Sequence, residues 1–151
     1  MKNCLIIAFA LLCIFQKSYC QTGCDASLWN HVYHPARLQK IKDCITVTGT
    51  IRWKKSEKDG DKHIQLILDA GQENLVNNRN KTAQDGCLVI EPICVGTVTQ
   101  TDAIQPCSGF TNNVVIPKNG THVKVTGSYV LDTENGHGWN EIHPVTSIVS
   151  D

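Results

Sequence analysis

From Cys44 onward, apolar and polar residues alternate in short stretches, and that period of two commits most of the chain to β-structure. Ile45, Val47, Ile51 and Trp53 share one parity against Thr46, Thr48, Thr50 and Arg52. This predicts a half-buried strand with Trp53 in the core or at its edge. Asp59-Gly60-Asp61 is a hairpin turn signal, after which Ile64, Leu66 and Leu68 return as a second strand. Residues 87–91 read as a third strand, stopped at Pro92. Residues 122–131 read as a fourth, with Gly127 as a bend or bulge, and residues 139–149 as a fifth. Residues 71–86 are polar, with asparagines at 77, 78 and 80, and predict a loop with one helical turn. Residues 96–110 predict an irregular connection with a short helix near Asp102. Five strands and that connection predict a mainly all-β fold, a small five-stranded OB-like Greek-key barrel. A two-sheet sandwich calls for more strands.

The N-terminus reads as a processing segment. Lys2 precedes an apolar run at residues 5–15, followed by a polar stretch ending at Cys20. The run is short of the roughly 20 residues that a membrane span needs. It predicts a signal peptide over residues 1–20, hence a secreted, extracellular or periplasmic protein. Residues 21–43, with Leu28, Trp29, Val32, Tyr33 and Leu38, predict an N-terminal arm of short helical turns broken at Pro35 and packed on the domain. Residues 44–151 then form the OB-like domain. Removing residues 1–20 takes away Lys2 and Lys17, so Lys+Arg falls from 14 to 12 against 14 Asp+Glu, a net charge of −2. That balance argues against general nucleic-acid binding.

Of the eight cysteines, Cys24, Cys44, Cys87, Cys94 and Cys107 lie beyond the leader. In an oxidising compartment they predict two disulfides, Cys24–Cys44 and Cys94–Cys107. The second closes a loop of about a dozen residues, which contributes roughly 3 kcal/mol in an unstrained bridge. Cys87 is left as a buried thiol, and the chain is a monomer unless that thiol links two copies. Sequons at Asn80-Lys81-Thr82 and Asn119-Gly120-Thr121 are candidate glycosylation sites.

The segment richest in chemistry is residues 137–144, HGWNEIHP. If extended, it sets His137, Trp139, Glu141 and His143 on one face. His63 and Asp61 lie off the core parity of the second strand, so a hairpin beside the last strand can bring Asp59, Asp61 and His63 to that face. Imidazoles and carboxylates together are good divalent-metal ligands, and a site with an open position activates water. On this pattern Asp61, His63, His137, Glu141 and His143 are the candidate metal ligands, with Glu141 and His143 the candidate catalytic groups. The plainer alternative makes 59–61 a turn and the histidines hydrogen-bonded rim residues, with Trp139 covering the barrel end. A staphylococcal-nuclease-like site needs phosphate-clamping arginines, and beyond the leader only Arg37, Arg52 and Arg79 occur.

Together with Cys44-Ile45-Thr46-Val47-Thr48-Gly49-Thr50, Asp59-Gly60-Asp61-Lys62-His63 and residues 123–132 (VKVTGSYVLD), the closing HGWNEIHPV segment carries a resemblance. Over residues 24–148 the chain resembles a group of largely uncharacterised secreted microbial OB-fold-like proteins ending in an HGWxEIHPV-type motif. The resemblance implies fold and compartment and transfers no catalytic assignment. The leading expectation is a secreted, disulfide-stabilised OB-like binding or interaction module. Its partner would be a small molecule, a glycan or a protein, and its ligand surface is formed by Trp139, Glu141 and His143 with Asp59, Asp61 and His63. No cofactor is expected on this reading. The alternative is a nuclease-like hydrolase dependent on a divalent metal.

Overall fold

The computed structural model describes residues 23–150, so the leader expected over residues 1–20 lies outside the described residues. Strands β1 (Leu38–Ser56), β2 (Lys62–Leu68), β3 (Leu88–Ile90), β4 (His122–Asp132) and β5 (Asn140–Ser150) form one mixed sheet. The sheet closes on itself in the order β1-β2-β3-β5-β4, with β4 returning to β1. All pairs are antiparallel except β3–β5, which run parallel, with Val89 opposite Glu141 and Ile90 opposite Ile142.

The core parity predicted for the first two strands holds as far as Ile51 in β1 and through β2. Val47, Ile51, Ile64, Leu66, Leu88, Ile90, Val123, Val125 and Ile142 all point inward and are buried. Disulfides Cys24–Cys44 and Cys94–Cys107 are both formed, and Cys87 is a buried free thiol. A second apolar cluster lies outside the ring, where Leu28 and Val32 of the arm meet Leu38, Ile93, Cys94 and Val130. The arm consists of 3-10 turns at Ala26–His31 and Pro35–Arg37, as the break at Pro35 suggested. It is shorter than expected, because β1 begins at Leu38 and pairs there with Asp132 of β4. Residues 39–43 are exposed, so they carry no alternation from which to read a strand; the ladder to β4 imposes it.

Two other stretches depart from expectation for local reasons. The asparagine-rich loop holds helix α1 (Asn78–Ala83), whose N-cap Asn77 and Asn80 exchange side-chain-to-backbone hydrogen bonds as a capping box. Asn80 is fully buried and its Nδ2 donates to the carbonyls of Cys87 and Asn140. Of the two sequons, then, only Asn119 presents its side chain to solvent, and a glycan on Asn80 is incompatible with this fold. The second departure is a bulge in β1 at Arg52. Ile51 faces Leu66, but the next paired residue, Trp53, faces Gln65. One extra residue reverses the parity. Trp53 therefore stands on the outer face, 42% exposed, and not in the core. Helix α2 (Ile104–Cys107), preceded by a 3-10 turn at Thr101–Ala103, fills the 96–110 connection as predicted near Asp102. Among the described residues no helix is long and apolar enough to cross a membrane.

The pairing of β4 with β5 shifts register on either side of Gly127, the predicted bulge. A Cβ there would lie 2.4 Å from Ile142 Cγ2 and 2.5 Å from the carbonyl oxygen of Pro144. Gly127→Ala is expected to cost about 1–3 kcal/mol, the range for forced overpacking. Gly23→Ala, with nothing within 4 Å, is the matched control and should be neutral. Urea unfolding midpoints of both variants check this.

Candidate functional site

Alternation sends one set of side chains into the ring and the other out of it. Over β2, β3 and β5 the outward set is nevertheless covered, by α1 and the 137–139 segment. Asp61, His63, Gln65, Glu91, Glu141 and His143 are all buried there, with Glu141 and His143 showing no exposure at all. Buried charge is costly unless it is paired, so this layer must be internally satisfied. The parallel β3–β5 pairing arranges that. The Glu91 N–H donates to the carbonyl of Ile142, and the Val145 N–H donates to that of Glu91. Glu91 is thereby set beside the outward-pointing Glu141 and His143.

His143 Nδ1 donates to Glu141 Oε1 at 3.0 Å, and Glu91 Oε2 lies 3.0 Å from the same nitrogen as an ion-pair partner. Glu141 Oε2 accepts from the Trp139 indole N–H at 3.0 Å. Glu91 Oε1 accepts from His63 Nδ1 at 2.8 Å, and His63 Nε2 donates to Gln84 Oε1 at 3.1 Å. Both nitrogens of His63 face acceptors, which favours the imidazolium. Burial alone would lower the pKa of His63, but its bond to Glu91 raises it. Burial likewise opposes charge on His143, yet its bonds to Glu141 and Glu91 lift it to about 10. Glu91, although buried, is held well below the usual carboxylate range by its bonds to His143 and His63. Burial and the Glu91 charge push Glu141 upward.

Asp61 closes the cluster from the β1–β2 turn. Its Oδ1 accepts from the Cys94 N–H at 2.8 Å, and its own N–H donates to Asp59 Oδ1 at 3.1 Å. Asp61 Oδ2 lies 3.9 Å from His143 Nε2, and neither buried atom has a hydrogen-bond partner among the described residues. Desolvation raises the Asp61 carboxyl to about 8, and His143 offsets only part of that. Asp61, Glu91 and His143 can each present one ligand atom such that all three atoms lie within 4.8 Å of one another.

Above this layer opens a cavity of about 490 Å³. Trp53, Trp139 and His63 form its aromatic lining, joined by Gln65, Gln84, Gln100, Asp59, Glu91 and His137. The His63 ring meets Trp53 and Trp139 edge-on at 6.4 and 6.0 Å. His137 stacks on Trp139 at 4.2 Å and is oriented by Asp132, whose Oδ2 accepts from His137 Nδ1 at 2.7 Å and also pairs with Arg37. Arg79 of α1 anchors this corner by donating to the carbonyls of His137 and Gly136.

The residues anticipated from sequence thus divide between two layers. Asp59, His63 and Trp139 line the cavity, while Asp61, Glu141 and His143 lie beneath it. Of the five expected metal ligands, only Asp61 and His143 present unpartnered atoms to each other. His63 and Glu141 are engaged by Glu91, Gln84, His143 and Trp139. His137 also lines the cavity, stacked on Trp139 and bonded to Asp132. Sequence reasoning missed Glu91, the member that joins both histidines. Its signal was a lone carboxylate in the apolar stretch of residues 87–95. It also missed Trp53 as a cavity residue, and Arg37 and Gln84 altogether.

The opposing shifts predict how stability depends on pH in chelator-treated protein. Glu91, depressed, contributes stability above its ordinary 4.5 that is lost in acid. His143, raised, contributes stability present in full below 6.5 and lost as pH climbs through about 10. Asp61, raised, contributes stability present in full below its ordinary 3.8 and lost progressively as pH climbs to about 8. Stability should therefore peak at about pH 4, between the ordinary values of Asp61 and Glu91, and decline from there to about pH 10. Asp61→Asn keeps the acceptor for Cys94 and removes one titration. Between pH 4 and 8 the variant should gain on the wild type by at least about 1.4 kcal/mol, the equivalent of one pKa unit. Parallel pH profiles in thermal denaturation would refute this.

No protein-family model, no curated protein sequence and no solved structure matches this chain.

Proposed function

We propose that the chain is a secreted OB-like binding module whose cavity takes a small, uncharged, hydroxyl-rich ligand, namely a saccharide. The observation that carries this reading is the lining of the 490 Å³ cavity, in which two indoles and three glutamine amides converge. The volume falls within the range of sites for small organic ligands. Trp53 offers an accessible indole face to the apolar C–H surface of a sugar ring. Gln84 Nε2 and Gln100 Oε1 are the amide atoms left for ligand hydroxyl groups, since Gln65 is engaged by Arg52 and Gln84. The nearby charges are largely paired with each other, Arg37 with Asp132 and Lys55 with Glu57, so they favour a neutral ligand.

The ring order β1-β2-β3-β5-β4 with its single parallel pair supports the OB-like Greek-key assignment, and such barrels hold oligosaccharides. Two disulfides support an oxidising, extracellular setting. The negative balance of the chain beyond the leader argues against a nucleic-acid partner.

Tryptophan fluorescence titrated with a panel of mono- and oligosaccharides, in chelator, tests the reading. A saturable change is expected, and Trp53→Ala should weaken it at least about tenfold, or ~1.4 kcal/mol. Trp53 is exposed, so the variant should fold normally. No saturable response across the panel, or equal affinity in the variant, would overturn the proposal.

A further inference from the structure

We propose that Asp61, Glu91 and His143 form a binding site for one first-row divalent cation, zinc or manganese, beneath the floor of the cavity. The starting point is the pair of unpartnered atoms, Asp61 Oδ2 and His143 Nε2. Both residues are almost wholly inaccessible, at 2% and 0% exposure, and the two atoms confront each other at 3.9 Å. A direct hydrogen bond does not span that distance. Two metal–ligand bonds of about 2.0–2.2 Å do, so one cation between them satisfies both groups. Glu91 supplies the third ligand, since the three residues can offer atoms all within 4.8 Å of one another.

The remaining atoms of these side chains are held as metal ligands are commonly held. His143 Nδ1 donates to Glu141, which leaves Nε2 as the nitrogen that a metal would take by displacing its proton, and Glu141 is itself fixed by the Trp139 indole. His63 binds the other oxygen of Glu91, and the Cys94 N–H binds the other oxygen of Asp61. Such outer contacts orient a ligand set before metal arrives. Charge points the same way. Asp61 and Glu141 are carboxyls whose charged forms burial disfavours, and a dication beside them would compensate that charge. One imidazole with two carboxylates suits zinc or manganese better than the thiolate-preferring ions. Glu91 also borders the cavity, so the cation has a route of entry.

The test uses the purified secreted chain, stripped with chelator and then loaded separately with Zn²⁺, Mn²⁺ or Co²⁺. It contains no saccharide, so its result is independent of what the cavity binds. After desalting, elemental analysis should find one equivalent of Zn²⁺ or Mn²⁺ per chain, with a raised thermal midpoint. Co²⁺ should give visible d–d absorption. Asp61→Asn and Glu91→Gln should each lower retention at least tenfold, while Asp85→Asn, a surface carboxylate paired with Arg52, should not. Should either site variant fail to fold, the wild-type cobalt spectrum and metal content decide. Folded wild type that retains no ion, or equal retention in Asp61→Asn, Glu91→Gln and Asp85→Asn, overturns the proposal.

Discussion

The parallel ladder between β3 and β5 is only two residue pairs long, yet the polar centre of this molecule depends on it. It closes the ring and, in the same step, sets Glu91 against His143 and Glu141. Without Glu91, His63 and His143 would lose the counterion they share, and burial would drive them toward neutrality. Breaking a buried pair costs more than the pair is worth against an apolar replacement, because the surviving charge has no water to turn to. That asymmetry makes the layer rigid: each member holds another in the state that it needs.

The cavity above depends on a different device. A strand with unbroken alternation would have buried Trp53 among Val47 and Ile51. The bulge at Arg52 moves it to the face that carries Gln65 and His63. One inserted residue thereby converts a core side chain into a cavity wall, and the loss of ladder pairing is confined to a single position. Opposite it, Asn77 and Asn80 start α1 and tie it to β5 through Asn140, so Gln84, the residue that caps the helix C-terminus, is fixed over the same face.

How far the sequence could be read follows from the range of the forces involved. The period of two recovered the core side of β1 as far as Ile51 and of β2, and the Asp59-Gly60-Asp61 turn was legible, because both are local. The two disulfides followed from compartment and count. The common face of Trp139, Glu141 and His143 was also legible, since it needs only an extended segment. What could not be read was set by contacts distant in the chain. Pairing with Asp132 extends β1 back to Leu38, and residues 39–43 bear no mark of it. Glu91 looked like the end of a strand until the pairing with β5 gave it partners. His137 was grouped with the metal ligands by parity, but the turn before β5 delivers it to Asp132 instead. Asn80 read as a sequon because a sequence motif does not carry burial.

The disulfide Cys94–Cys107 has a role beyond shortening the unfolded chain. Cys94 donates its N–H to Asp61, the N–H groups of Val95 and Gly96 both donate to Gly60, and those of Thr99 and Gln100 to Lys58. The cross-linked loop therefore clasps the β1–β2 turn and sets the angle of the Asp61 carboxylate. Loop oxidation and carboxylate placement become one variable. Reduction of this disulfide to two thiols would act on the polar centre through the backbone, without touching any of its side chains, and the redox state of the surroundings would be written into the geometry beneath the cavity.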